Sequence, residues 1–156
     1  MKSHFLLFLI AGTVIFSNSL QSQTKKLNCE QTIQAMEANK KLVADFYQEL
    51  FGDKNIDAID KYIGDIYIQH NPHVADGKQS LKEALKEWFK NASKEKIDIQ
   101  HIGADDDLVF LHIKSHSGNK TISIVDIFRI QDGKIIEHWD VHEEVPEKSA
   151  NSHPMF

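Results

Sequence analysis

The chain has 156 residues, of which 41% are hydrophobic and 26% are charged, and this balance is typical of one globular domain. Its formal net charge is −5, and Arg129 is its only arginine. The composition therefore argues against a nucleic acid partner, because no stripe of cations is present to meet phosphates. Cys29 is the only cysteine, so an internal disulfide cannot form.

The N-terminal residues 1–23 have the pattern of a secretory signal peptide. Lys2 gives a positive start, an apolar block runs from Phe5 to Phe16, and small polar residues follow. This block is shorter than the roughly 20 apolar residues that a membrane span needs, and no second apolar run follows it. We therefore predict an exported protein, periplasmic or secreted, with no membrane span once the signal is removed. An uncleaved N-terminal anchor is the alternative.

We expect the mature protein to lack residues 1–23, because a signal peptidase cleaves after the small polar segment. Intact-mass analysis of protein recovered from the native host measures this directly. A full-length species in the cytoplasm would contradict export.

Apolar residues at three- and four-residue steps predict a first helix over residues 30–51. The face of this helix that we expect to be buried contains Ile33, Met36, Val43, Phe46, Tyr47 and Leu50. A short second helix is expected from Asn55 to Ile63. A third helix is predicted to open at Ser80, because Ser80-Leu81-Lys82-Glu83 has the form of a capping box.

The hydrophobic period changes from helical to two at residue 97, which indicates strands. An earlier strand is expected at Ile66–His70, and four more follow at residues 97–102, 108–116, 121–130 and 135–143. Successive strands joined by tight turns form an antiparallel meander. Helices before strands predict an α+β fold with the helices on one face of a curved sheet. The domain is expected over residues 24–145, and a polar tail over residues 146–156.

Polar side chains occur in the last two strands where a plain sheet would have apolar ones. Because side chains alternate along a strand, His138 and Asp140 share a face with Ile136 and His142. If that face lines a closed pocket, burial could turn a carboxylate into a general base near neutral pH. The alternative is that the carboxylates lie on the solvated face of a half-buried sheet.

Whether Asp126 joins this face depends on the turn between the two strands. A three-residue loop, Gln131-Asp132-Gly133, with positive φ at Gly133, would place Asp126 opposite His138 and Phe128 opposite Ile136. A strict two-residue Asp-Gly loop would shift the register by one and separate them. We expect the three-residue loop.

Other chemical motifs are absent from the sequence. The nine histidines include the pairs His70/His73 and His138/His142, whose spacing matches no strong metal-binding motif, and HExxH does not occur. No metal site is therefore predicted. The sequence also contains no phosphate-binding loop, dinucleotide fingerprint or nucleophile-elbow serine.

Three stretches of the chain resemble the SnoaL-like polyketide cyclase family of the nuclear transport factor 2-like superfamily. They are Tyr67-Ile68-Gln69-His70-Asn71-Pro72, then Asp76-Gly77, and finally the segment from Asp126-Ile127-Phe128-Arg129 through Asp132-Gly133-Lys134 to Glu137-His138-Trp139-Asp140. The similarity runs from about Asn39 to Val145. It implies a cone-shaped α+β barrel, in which three helices and a strongly curved antiparallel sheet enclose one mostly apolar cavity.

The resemblance also implies a chemistry and a set of site residues. The cyclases use one aspartate of the last strand as acid/base, without a cofactor, and this position corresponds to Asp140. A cyclase histidine of the preceding strand corresponds to Asp126, so this chain has a carboxylate there instead. Family positions that face the cavity, together with the predicted faces of the strands and helices, indicate a substrate-binding set of Tyr47, His70, Asn71, Phe128 and Trp88. Similar proteins often dimerise through the sheet, so a homodimer is implied.

Two functions remain open at this point. The first is cofactor-free enolisation or aldol chemistry on a carbonyl compound, with Asp140 as the base and His138, His70 or Tyr47 at the enolate oxygen. The second is non-catalytic binding of a small apolar ligand in the same cavity. For the enzyme we expect Asp140 to be buried without a cationic partner, so that its pKa is raised.

Overall fold

The computed structural model describes the backbone of residues 6–156, and the side chains of residue 23 and residues 25–156. The predicted leader, residues 1–23, therefore lies almost wholly outside the described side chains. The chain divides into two compact units, residues 1–35 and residues 36–156. Within the described part of the chain, no helix is both long and apolar enough to span a membrane.

Four helical segments precede or interrupt the strands. They are α1 (Leu6–Tyr47), a π-helix (Gln48–Gly52), α2 (Ala58–Tyr62) and α3 (Lys78–Trp88). Val43, Phe46, Tyr47 and Leu50 are buried as predicted, whereas Ile33 is 49% exposed. The helical periodicity of residues 43–50 therefore marks the face that packs on the sheet.

The predicted capping box at the start of α3 is wrong. The helix begins two residues earlier, and its cap residue is Gly77, which has a φ of 90° and makes no side-chain cap. Ser80 consequently lies inside the first turn of the helix. Gly77 is placed at this point by its N–H, which donates to the carbonyl of Tyr67 at 2.9 Å.

Five strands form one sheet with the order β1-β5-β4-β3-β2. Their bounds are β1 (Ile63–Gln69), β2 (Asp98–Asp105), β3 (Leu108–Ser117), β4 (Lys120–Gln131) and β5 (Lys134–Glu144). Strands β2 to β5 form the predicted antiparallel meander, and β1 pairs with β5 in parallel at the edge. The α+β class is confirmed, and the curved sheet remains open because β1 and β2 are its two edges.

The turn between β4 and β5 differs from the predicted one. Gln131 pairs with Lys134, and both Asp132 (φ 51°) and Gly133 (φ 70°) have positive φ, which is the two-residue type I′ turn. The positive φ at Gly133 is confirmed, but the three-residue loop is wrong. Asp126 is accordingly paired with Asp140, and not with His138.

A β-bulge in β5 keeps Asp126 on the same face as His138 despite the shorter turn. Ile130 pairs with Ile135 and Arg129 with Glu137, so Ile136 is an extra residue in β5. The bulge restores the alternation that a two-residue turn would otherwise have shifted. As a result Phe128 is paired with His138, and Ile135, not Ile136, is fully buried beside Ile130.

The core lies between the helices and one face of the sheet. The rings of Phe46 and Phe128 meet edge-on with centroids 5.8 Å apart, which docks α1 on β4. Alternate residues of the central strands complete the buried face: Val109, Leu111 and Ile113 of β3, and Ile124, Phe128 and Ile130 of β4. Asp126 belongs to this apolar row, so its carboxylate is held inside the fold.

The π-helix is fastened to the segment before β2 by one side chain. Gln48 donates to Glu95 O at 3.1 Å and accepts the N–H of Ile97 at 3.0 Å. A Cβ at Gly52 would collide with Gln48 and lie 2.8 Å from Glu95 O, so only glycine fits this close approach. This arrangement places Phe51 in the wall of the cavity described below.

Candidate active site

The helices and the sheet enclose a cavity with a volume of about 620 Å³. This volume is within the range of sites that bind small organic molecules. Most of its wall is apolar or aromatic, with contributions from Phe46, Tyr47, Leu50, Phe51, Tyr67, Val74, Leu81, Trp88, Phe89, Ile113, Ile124 and Phe128. The apolar part of this wall suits the hydrocarbon part of a ligand.

Two buried polar residues of the cavity, Asp126 and His138, lie where β4 and β5 face the end of α1, whereas charged residues such as Lys54, Glu95 and Lys114 line another part of its wall. His138 Nε2 lies 2.9 Å from Asp126 Oδ1, and the Tyr47 hydroxyl donates to Asp126 Oδ2 at 3.0 Å. Asp126 is 4% exposed and His138 is 8% exposed. The carboxylate of Asp126 therefore has a partner on each oxygen and almost no contact with bulk water.

The hydrogen-bond partners of His138 indicate where the protons of its ring and of Asp126 lie. Gln69 Oε1 accepts the backbone N–H of Asn71 at 3.0 Å, which identifies this atom as an acceptor. His138 Nδ1 lies 2.8 Å from the same oxygen and must donate its hydrogen to it. The contact from Nε2 to Asp126 then requires one further proton, on one atom or the other. Asp126 and His138 thus hold one shared proton inside the cavity.

Asp140 lies beside this pair, and its environment keeps it ionised. Asn71 Nδ2 donates to Asp140 Oδ2 at 2.6 Å, and His142 Nε2 lies 3.2 Å from the same oxygen. Burial alone would raise the pKa of Asp140, but the bonds from His142 and Asn71 and the nearby His138 outweigh it, so this pKa lies below its usual value. The predicted rise is therefore wrong, because a cationic partner is present after all.

The pKa values of three groups near Asp126 and Asp140 are also raised. The contact with Asp140 raises the pKa of His142 above 6.5, which favours the imidazolium. Burial, with the neighbouring Asp126, raises the pKa of Tyr47 well above its usual value, so this hydroxyl remains a hydrogen-bond donor. Burial raises the pKa of Tyr67 in the same way. Both tyrosine side chains therefore line the site in their uncharged form.

The structure brings most of the predicted site residues together around the cavity. Asp126, His138 and Asp140 have side-chain atoms within 4.8 Å of one another, and the cavity is also lined by Tyr47, Asn71, Phe128 and Trp88. Asn71 contacts Asp140 directly, whereas Trp88 is 53% exposed. Their roles in binding or catalysis stay predictions.

His70 does not belong to this set. Its Nε2 lies 2.8 Å from Glu137 Oε1, and its ring stacks on Trp139 at 4.6 Å. Glu137 also accepts from Arg129 Nε at 2.9 Å, so Arg129 faces away from Asp126. The neighbouring Gln69 contacts His138 instead; it was not predicted as a site residue, although it lies in the Tyr67–Pro72 stretch that resembles the family.

Comparison with known proteins agrees with this architecture. The family model for the SnoaL-like polyketide cyclase matches residues 41–148. No functionally curated protein matches the chain by sequence.

Solved structures with the same fold have low sequence identity. An NTF-2 like protein of unknown function from Burkholderia xenovorans LB400 is 14% identical with a TM-score of 0.60, over 73% of this chain and 89% of that chain. A LEH-like epoxide hydrolase from M. tuberculosis is 17% identical with a TM-score of 0.55, over 70% of this chain and 85% of that chain. TsrD from Streptomyces laurentii is 16% identical with a TM-score of 0.57, over 69% of this chain and 89% of that chain. At these identities the likeness shows the fold alone. Because the family model spans more than half of its length, the chain belongs to the SnoaL-like polyketide cyclase family.

Proposed function

We propose that the chain is an exported enzyme that moves a proton on a small, mostly apolar carbonyl compound without a cofactor. One observation carries the proposal. An ionised carboxylate, Asp140, lies next to a proton-bearing pair, Asp126 and His138, inside the cavity. Two titratable groups held in opposite protonation states at one place form an acid/base arrangement.

In this mechanism Asp140 is the base. Both of its contacts end on Oδ2, and among the described residues no hydrogen bond ends on Oδ1. Oδ1 takes the proton from the carbon next to the substrate carbonyl, and the C–H electron pair passes into the enolate. The developing charge on the enolate oxygen is then met by the proton that Asp126 and His138 share. The proton is returned from Asp140 to carbon when the product forms.

Tyr47, Gln69 and Asn71 act as positioning residues. Tyr47 holds Asp126, Gln69 holds His138, and Asn71 holds Asp140, in each case through one hydrogen bond of 3.0 Å or less. Such support limits the rotation of the acid and the base, which is necessary for proton transfer over a short distance. These three residues should therefore affect turnover more than substrate affinity.

The second candidate is a binding protein without catalysis. The apolar wall of the cavity favours it, since that wall would hold a small hydrophobic ligand whatever its polar groups do. The two candidates share the binding step and differ only in proton transfer.

Binding can be measured with a natural fluorophore. The chain has two tryptophans: Trp88 lines the cavity, and Trp139 stacks on His70 outside it. In a Trp139→Phe variant the emission reports on Trp88 alone. We expect small cyclic ketones and β-keto esters to change this emission saturably. The Trp88→Phe variant is the matched control: its emission comes from Trp139 alone and should not change. Equal responses of both variants would contradict binding in the cavity.

A further inference from the structure

Three side chains of the cavity also have the arrangement of a metal site. Asp126, His138 and Asp140 each offer one ligand atom, and these atoms lie within 4.8 Å of one another. The 2.9 Å between His138 Nε2 and Asp126 Oδ1 is close to the roughly 3.0 Å between two ligands that bind at about 90° with bond lengths of about 2.1 Å, as in an octahedral site; a tetrahedral site needs about 3.4 Å. Asp140 adds the third ligand atom within the same limit of 4.8 Å.

Each of these side chains is held by an outer partner on the atom that a metal would not use. Tyr47 binds Asp126 on Oδ2, Gln69 binds His138 on Nδ1, and Asn71 binds Asp140 on Oδ2. This leaves Asp126 Oδ1, His138 Nε2 and Asp140 Oδ1 as the ligand atoms. Outer hydrogen bonds of this kind fix the tautomer and the orientation of metal ligands. These outer hydrogen bonds favour a metal site independently of the distances between the ligand atoms.

The donor set indicates which class of ion would fit. One imidazole nitrogen and two carboxylate oxygens suit divalent first-row transition metals, whereas Mg²⁺ and Ca²⁺ prefer oxygen alone. The three residues also line the cavity, so the remaining coordination positions would face its interior. The sequence predicted no metal site because these ligands come from facing positions on two strands, and not from a short motif.

We propose that Asp126, His138 and Asp140 bind one divalent first-row transition metal ion, such as Zn²⁺ or Co²⁺, with open positions towards the cavity. The inference does not rest on the proposed function. A bound ion would occupy the base and the acid of that mechanism, so it would block proton transfer by these groups.

Titration of the full chain with Co²⁺ tests the site, because the absorption of Co²⁺ in the visible range reports its coordination. We expect one ion per chain, and Asp140→Asn should weaken binding at least tenfold. The double variant Asp126→Asn/His138→Gln should lose the absorption bands, and circular dichroism shows whether each variant is folded. If the double variant does not fold, Asp140→Asn alone decides the outcome.

Two histidines elsewhere in the sheet provide the matched control. His101 and His112 stack with their Nδ1 atoms 3.2 Å apart in neighbouring strands, outside the cavity. His101→Gln/His112→Gln should leave the Co²⁺ spectrum of the cavity site unchanged. Loss of binding in this control, unchanged binding in Asp140→Asn, or no stoichiometric binding at all would overturn the proposal.

Discussion

Replacing Asp140 by asparagine should lower turnover of a carbonyl substrate by roughly a hundred- to ten-thousandfold, the usual contribution of a general base. The amide keeps the shape of the side chain and can still accept from Asn71, so the cavity should retain its ligand. It cannot take up the substrate proton. We therefore expect the loss in kcat, with the dissociation constant of the ligand changed little.

The same variant has a readout that does not need a substrate. The contact with Asp140 raises the pKa of His142, so Asp140→Asn should lower that pKa towards 6.5, as measured by NMR titration of the ring. The matched control is Asp105→Asn, an exposed aspartate at the end of β2, which should change neither turnover nor the titration of His142. Full turnover in Asp140→Asn would remove Asp140 from the mechanism.

The sign of the pH dependence of stability follows from the same pair. The pKa of Asp140 is lowered by folding, so its ionised form stabilises the protein above about pH 4, and this contribution is lost as the pH falls further. The pKa of His142 is raised by folding, so its charged form stabilises the protein below about pH 6.5, and this contribution is lost as the pH rises. Both contributions are present together between these limits.

Leu85→Ala should lower the free energy of unfolding by about 2–5 kcal/mol, which is the usual cost of truncating a buried leucine. Leu85 is fully buried and belongs to α3, which also supplies Leu81 and Trp88 to the cavity wall. Its truncation removes apolar contacts and leaves a void under the helix. Denaturant unfolding of the mature protein measures the change.

The neighbouring Lys86 is exposed on the same helix and gives a matched control. Lys86→Ala keeps a good helix former and buries nothing new, so it should change stability by less than about 0.5 kcal/mol. A cost below about 1 kcal/mol for Leu85→Ala would show that this side chain does not dock α3 on the core.

The sequence predicted the strands and the shared face, because alternation of apolar and polar residues encodes both. It placed Asp126, His138 and Asp140 on one face, and the structure agrees. The predicted register was wrong, because the two-residue turn and the bulge at Ile136 each shift the pairing of β4 with β5 by one residue. Together the two shifts leave Asp126 on the predicted face of the sheet, but they pair it with Asp140 and not with His138. A bulge of this kind has no simple signal in the pattern of hydrophobicity.

The protonation state of Asp140 was out of reach for a related reason. Its shortest hydrogen bond comes from Asn71, which is 69 residues away in the chain and approaches only because β1 pairs with β5 in parallel. The expectation that Asp140 has no cationic partner overlooked His142, which lies two residues further along β5. The loss of His70 from the site has the same origin, because Glu137 and Trp139 on the outer face bind it instead.

Exchange of carbon-bound hydrogen with D₂O is the most direct test of acid/base chemistry in the cavity. A ligand that the Trp88 fluorescence identifies is incubated with the metal-free mature protein in D₂O, and its α-hydrogens are followed by proton NMR. We expect the wild-type protein to accelerate deuterium incorporation next to the carbonyl, and Asp140→Asn to abolish the acceleration. A carbonyl ligand that binds in the cavity and shows no accelerated exchange would contradict the enzyme and leave a small-molecule-binding protein.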